Sequence, residues 1–223
     1  MSGWSFGAHY EPAREVGGDL FDVFPLRGRT DAFALLVADV TGKGIPAALL
    51  MADVRALLHA ATDNADGPAD ALTRVNRILV TERATSLFVT AALLVVDAAS
   101  GLARHASAGH DPVLVARSAG SVEALEAGGP ILGAFRDAPF AEVTTLIGPD
   151  DAIVLYTDGV TEARDERRRF YGEERLFNVL DSACGTPADG IVATVVRDVE
   201  AFRGAAEPFD DITLLVAQRQ RGD

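Results

Sequence analysis

Residues 33–61 read FALLVADVTGKGIPAALLMADVRALLHAA, and the change of period inside that stretch decides the fold. Residues 33–40 form an apolar, partly β-branched run, which predicts a strand. The run exits into Asp39, Val40, Thr41 and Gly42. Beyond it, Leu50, Val54, Leu57, Leu58 and Ala61 recur at the spacing of one helical face. A second such face follows in Leu72, Val75, Ile78 and Leu79, with Pro68 near its start, so a helical pair is expected between Ala47 and Arg83.

Working outward, apolar runs at residues 20–26, 88–96, 112–116, 141–147, 152–157 and 212–217 predict further strands. Residues 172–183 and 186–202 predict two more helices, the second with Thr186 as N-cap, Pro187 at the first helical position and Asp189 three residues after the cap. Helices arrive in pairs rather than alternating one-for-one with strands. That order argues against a doubly wound parallel sheet and for a layered α+β sandwich of antiparallel sheets with helices on their outer faces. A single domain over residues 1–223 is expected, because no repeat, low-complexity tract or linker interrupts a chain that is 48% hydrophobic.

Charge narrows the function. The 33 acidic residues outweigh 20 basic ones for a net charge of -13, and such a field repels nucleic acid and anionic membrane. The apolar runs are broken well short of the roughly 18 residues a membrane span needs, so no membrane segment is expected. Residues 1–6 carry no signal-peptide pattern, and the lone Cys184 cannot form an internal disulfide. A cytoplasmic location follows as an expectation.

The aspartates carry the chemistry. Two predicted strands end in aspartate, at Asp39 and at Asp158 before Gly159; two begin with it, at Asp19 after Gly17 and Gly18, and at Asp210 and Asp211. In antiparallel pairing the start of one strand lies beside the end of its neighbour, so Asp19, Asp39, Asp158 and Asp210 are expected to converge on one edge. Two unit charges about 4 Å apart repel by roughly 4 kcal/mol at an effective dielectric near 20, and the cluster therefore needs neutralising. No cysteine or histidine pair stands at zinc spacing, and hard oxygen ligands favour Mg²⁺ or Mn²⁺. Two such cations answer the charge.

Seven motifs in order carry a resemblance: EVGGDLFDVF at 15–24, ADVTGKGIPAALLMA at 38–52, SAGHDPVLV at 107–115, GGPILG at 128–133, YTDGVTEARD at 156–165, FYGEERL at 170–176 and FDDITLLV at 209–216. Together they resemble the PPM family of metal-dependent serine/threonine phosphatases, in its bacterial SpoIIE-like branch. The resemblance implies an α-β-β-α sandwich, a binuclear Mn²⁺ or Mg²⁺ site, and hydrolysis of a phosphoserine or phosphothreonine protein by a metal-activated water. The implied substrate is a STAS-type anti-sigma antagonist. Carried over, Asp39 bridges both ions, Asp19 and the main-chain carbonyl of Val40 serve one, and Asp158 and Asp210 the other.

This implies no protein nucleophile, leaving Ser86, Ser107 and Cys184 as ordinary residues. A one-residue shift swaps strand faces, so only one of Asp210 and Asp211 should reach the site. Asp22 is either an outer-shell group or a solvated strand residue. Thr41 stands where eukaryotic relatives carry a histidine proposed as leaving-group acid, which leaves Lys43 and His110 as alternatives. The basic segment 164–169 reads either as a solvated surface or as a contact for an acidic or phosphorylated partner. Control is expected from a regulatory partner, from the helical pair, or from an appended sensor domain. The rival readings are a catalytically silent interaction module, whose mark would be a lost ligand aspartate; a small-molecule phosphoesterase on the same ions; and a GGDEF-type cyclase, which needs an acid where Leu20 stands.

Overall fold

A computed structural model describes residues 1–29, 31–42, 44–81 and 87–221. Lys43, Arg83 and Ser86 therefore lie outside the described residues. One sheet runs β1 (Trp4–Glu11), β10 (Ile212–Arg219), β9 (Ala152–Tyr156), β6 (Val113–Arg117), β7 (Ser121–Leu125). The other runs β2 (Leu20–Pro25), β3 (Ala32–Val40), β4 (Val89–Asp97), β5 (Leu102–Ala108), β8 (Glu142–Leu146). Every neighbouring pair is antiparallel.

Side-chain parity builds the layers. Successive residues of a strand face opposite ways, and in β3 Phe33, Leu35 and Val37 join Leu94, Val115, Ile153, Leu155 and Leu215 between the two sheets. The alternate residues Ala34, Leu36 and Ala38 face outward onto Met51, Val54 and Leu58 of α1 (Ile45–Asn64) and Leu72 and Val75 of α2 (Pro68–Thr81). On the far side, Val154, Leu214 and Val216 pack against Leu176 and Leu180 of α4 (Glu173–Ser182) and Ile191, Val195 and Val199 of α5 (Ala188–Arg203). Each fully buried side chain of this size contributes about 1.5–3 kcal/mol. The order of layers is α-β-β-α, as the pairing of helices predicts. Because both faces of β3 are buried, its sequence reads as an unbroken apolar run.

Three strands escape the apolar-run reading. β1 carries Ser5, Gly7 and His9; β5 carries Arg104, His105 and Ser107; β7 is a short edge strand with Ser121, Glu123 and Leu125 partly or fully exposed. The expected cap of α5 also differs. Thr186 turns its hydroxyl back to the Ala183 carbonyl at 2.7 Å, so Pro187 takes the cap position and the helix begins at Ala188. A short helix, α3 (Asp158–Thr161), follows β9 directly. By length and composition α1 is apolar enough to cross a membrane, although Asp53 and Arg55 interrupt its apolar sequence. Its inner face, Ala47, Met51, Val54 and Leu58, packs on the sheet, while Ile45 and Leu49 are exposed.

Candidate metal centre

The inter-sheet rows of apolar residues do not stop at the rim of the sandwich; they turn polar. Phe21 and Val23 of β2 pack toward the space between the sheets, and the same parity brings Asp19 inward. Phe33, Leu35 and Val37 are continued by Asp39, Leu155 by Thr157, and Leu215 by Thr213. Val113 and Val115 are preceded by Asp111, and Ala92 by Thr90. One end of the hydrophobic seam thus opens into a cleft of about 330 Å³ bordered by Asp39, Thr90, His110, Asp111, Asp158 and Glu162.

Within each sheet the strand ends meet as antiparallel pairing requires. Leu20 opposes Ala38, which sets Asp19 beside Asp39, and Thr157 donates its N–H to the Thr213 carbonyl at 3.1 Å, which sets Asp158 near Asp210. Across the sheets, Oδ2 of Asp19 accepts hydrogen bonds from the hydroxyls of Thr157 at 2.7 Å and Thr213 at 2.6 Å. The carboxyl groups of Asp19 and Asp39 are neighbours, and Asp39 lies in the field of Asp158 and Asp210. Burial pushes Asp19 well above the carboxylate range; the two threonine hydroxyls oppose that rise and the charge of Asp39 adds to it. Asp39 is pushed up by burial and then by Asp158. Buried acids without a compensating charge hold protons in this way, and a cation would release them.

Asp211 is taken up by the fold. Asp211 accepts the N–H of Ala13 at 2.7 Å on one oxygen and that of Gly18 at 2.6 Å on the other. Both its oxygens are spent on holding the loop that delivers Asp19. Glycine is required at 159, since a Cβ there would stand 1.8 Å from the Asp211 carbonyl oxygen. At Gly18 a Cβ would stand 2.8 Å from Cγ1 of Val40, so the missing side chain lets the loop before Asp19 lie close against β3.

The remaining candidates fall elsewhere. Asp22 has the opposite parity to Asp19 and faces α1, pairing with Arg55 at 2.6 Å and His59 at 2.8 Å, so it is neither an outer-shell group nor a solvated one. Thr41 spends its hydroxyl on the backbone of Phe88, accepting its N–H at 2.8 Å and reaching its carbonyl at 3.2 Å. His110 borders the cleft, but Nε2 lies 3.0 Å from the Tyr156 carbonyl and must donate to it; Nδ1 then accepts from the Thr90 hydroxyl at 2.8 Å. Burial lowers this ring to about 4, leaving it neutral with both nitrogens occupied. Ser107 closes the turn to His110, and the thiol of Cys184 donates to the Leu180 carbonyl. Burial, followed by Asp158, Glu173 and Glu162, pushes Asp111 up to about 6.

Thr157, Thr213 and Asp111 were not among the expected site residues. Their signal was available: each extends an inward-facing apolar row by one step of two.

All the donors gathered here are carboxylate or carbonyl oxygens, the set that hard divalent cations prefer. Among the described residues no three acidic side chains yet converge on a single point, so binding would draw them inward from their threonine and carboxyl partners. The donor chemistry and the mutual repulsion of the gathered carboxyl groups fit such an ion.

Comparison with known proteins agrees with this architecture. A family model described as stage II sporulation protein E (SpoIIE) matches residues 29–220. Protein IcfG of Synechocystis sp. is 28% identical over 97% of this chain and 38% of its own length. Phosphoserine phosphatase RsbU of Bacillus subtilis is 27% identical over 96% of this chain and 63% of its own length. The chain thus spans less than two thirds of either relative. Among solved structures, the RsbU and RsbW domains of Rv1364c from Mycobacterium tuberculosis superpose with a TM-score of 0.85 at 28% identity, over 99% of this chain and 61% of that one.

Proposed function

The chain belongs to the SpoIIE family, and from that premise we propose that it is a metal-dependent phosphatase that hydrolyses phosphoserine or phosphothreonine in a regulatory protein. The observation that carries the reading is the rim of the sandwich, where the inward rows of one sheet end in Asp19 and Asp39, and Asp39 lies in the field of Asp158 and Asp210 from the other. In this reading Asp39 is shared between two Mn²⁺ or Mg²⁺ ions, Asp19 and the Val40 carbonyl serve one, and Asp158 and Asp210 serve the other. Divalent ions in such a site supply charge neutralisation, Lewis acidity and an activated water.

The protein's own residues prepare the site. Thr157 and Thr213 fix the orientation of Asp19 across the two sheets, and Asp211 fixes the loop that carries it. His110 is held neutral by burial and keeps its Nε2 proton on the Tyr156 carbonyl, so it does not serve as the leaving-group acid. Lys43 lies outside the described residues. All four acids are present, which speaks against a silent module. The partner is proposed to be a STAS-type anti-sigma antagonist, in line with RsbU, a phosphoserine phosphatase. Control is proposed to come from a regulatory partner or an appended sensor domain, since both curated relatives are longer than this chain. The location is proposed to be cytoplasmic.

The test is turnover of a phosphoserine STAS protein, 4-nitrophenyl phosphate and free nucleotides, each with Mn²⁺ and with chelator. Metal-dependent release of phosphate from the protein, exceeding that from nucleotides, is expected. Activity that survives chelation, or preference for nucleotides, contradicts the reading.

A further inference from the structure

Between α3 and α4 the chain leaves the sandwich in a basic excursion whose construction exceeds what a solvated charge run needs. Its stem is a small antiparallel ladder: Tyr171 donates its N–H to the Ala163 carbonyl at 2.9 Å, Gly172 to that of Thr161 at 2.8 Å, and Arg164 bridges Phe170. At the tip, buried Asp165 accepts the backbone N–H groups of Arg167 and Arg169, both at 2.9 Å, and the Nε of Arg169 at 2.8 Å. Arg168 takes a left-handed backbone, φ 61, a conformation that costs energy for a residue with a side chain. The result is a fixed turn from which Arg167 and Arg168 stand exposed, with no ion pair of their own among the described residues.

The turn is keyed to the metal centre at both ends. Its stem begins at α3, whose first residue is Asp158. The guanidinium of Arg164 lies between the rings of Phe170, 5.0 Å from the centroid, and Phe209, 3.3 Å away, and Phe209 immediately precedes Asp210. Nε of Arg164 is buried without a hydrogen-bond partner, so the aromatic rings are what hold it. Phe170 is 53% exposed and Phe209 44%. A half-exposed aromatic pair thus adjoins Asp210, and two exposed arginines stand on the turn that continues the chain from Asp158, in a protein whose net charge is -13.

We propose that the 164–170 excursion is the docking surface for the phosphoprotein substrate, and that Arg167 and Arg168 select acidic residues flanking its phosphorylated side chain. This rests on the phosphatase reading given above. An acidic partner is otherwise repelled by the average field of the chain, and a local basic site on the turn that continues from Asp158 offsets that repulsion. Holding both arginines on a preformed turn lowers the ordering cost of engaging them.

The test uses two phosphoserine peptides of equal length, one with glutamates flanking the phosphoserine and one with glutamines, alongside 4-nitrophenyl phosphate, all with Mn²⁺. Two exposed arginine–carboxylate pairs favour the glutamate peptide about fivefold in kcat/KM at low salt, expressed in KM. The ratio falls to about one in R167A/R168A, inverts in R167E/R168E, shrinks with added salt, and persists in R197A, an exposed arginine on α5. Equal kcat/KM for the two peptides in the wild-type protein, or a preference that survives R167E/R168E, overturns the docking surface. Hydrolysis of 4-nitrophenyl phosphate in that case leaves the phosphatase reading standing; failure to hydrolyse any of the three overturns both.

Discussion

Thr157 and Thr213 donate to the same oxygen of Asp19 from two adjacent strands, which makes the hydroxyls rather than the carboxylates the first handle on the site. Removing an outer partner of a metal-binding carboxylate weakens affinity about 10–100-fold, and T157V/T213V is expected to do so in calorimetric Mn²⁺ titration; unchanged affinity would show that the hydroxyls play no part in holding Asp19. Replacing Asp39 itself should cost more: D39N is expected to lower kcat/KM for 4-nitrophenyl phosphate by at least about a hundredfold, the upper end of the outer-partner range. At Gly159 the argument is steric. A methyl group 1.8 Å from the Asp211 carbonyl forces the β9 exit and the β10 entry apart, so G159A should lose about 3 kcal/mol, the upper range for overpacking, read as a lower urea midpoint. His105 and His110 give a pH dependence of known sign. Burial lowers both His105 and His110 to about 4 from an unfolded value of 6.5, so the unfolded chain binds protons first and stability is lost as pH falls from 6.5 toward 4. Proton NMR should find neither ring titrating above pH 5; a midpoint near 6.5 for His110 would reopen its candidacy as an acid.

Elements act through parity and through what ties them together. β2 presents Phe21 and Val23 to the space between the sheets and Phe24 to the helical layer, so Asp22 could only meet α1, where Arg55 and His59 receive it and Phe24 stacks on the imidazole at 3.6 Å. The same alternation that explains an apolar strand therefore assigns Asp19 to the site and Asp22 to a helix tether, and it was legible in residues 19–24 once the strand was placed. Burial opposes ionisation of Asp22, but the hydrogen bonds from Arg55 and His59 outweigh it and hold the carboxyl below its usual range. A depressed carboxylate adds stability that is present above the unfolded value, about 3.9, and is lost as pH falls through the folded value. Because Arg55 is half exposed, D22A should cost only about 1 kcal/mol at pH 7, a difference that closes in acid; a cost independent of pH would point to packing instead. What sequence periodicity could not supply were β1, β5 and β7. Their residues are polar or small because sheet pairing, an enclosed histidine or an exposed edge, rather than apolar burial, sets their character.

The whole molecule joins two sheets so that the strand ends carrying Asp19, Asp39 and Asp158 lie along one rim, and that neighbourhood was readable from strand order because antiparallel neighbours exchange starts and ends. The pairing of helices gave the layers for the same reason: each pair covers one outer face. The separate surroundings of Asp210 and Asp211 were not readable, since neither lies within a strand; the two N–H groups captured by Asp211 tie it to the loop before Asp19. Nor could composition reveal that an acidic chain carries a fixed basic turn beside its acidic cleft, because the buried Asp165 that shapes the turn is indistinguishable in sequence from a solvated one. All of this rests on the rim binding cations. Anomalous diffraction at the manganese edge, from crystals grown with Mn²⁺, tests it most directly: two peaks flanking Asp39, one toward Asp19 and the Val40 carbonyl and one toward Asp158 and Asp210, are the predicted result, and a rim without anomalous density would contradict the account.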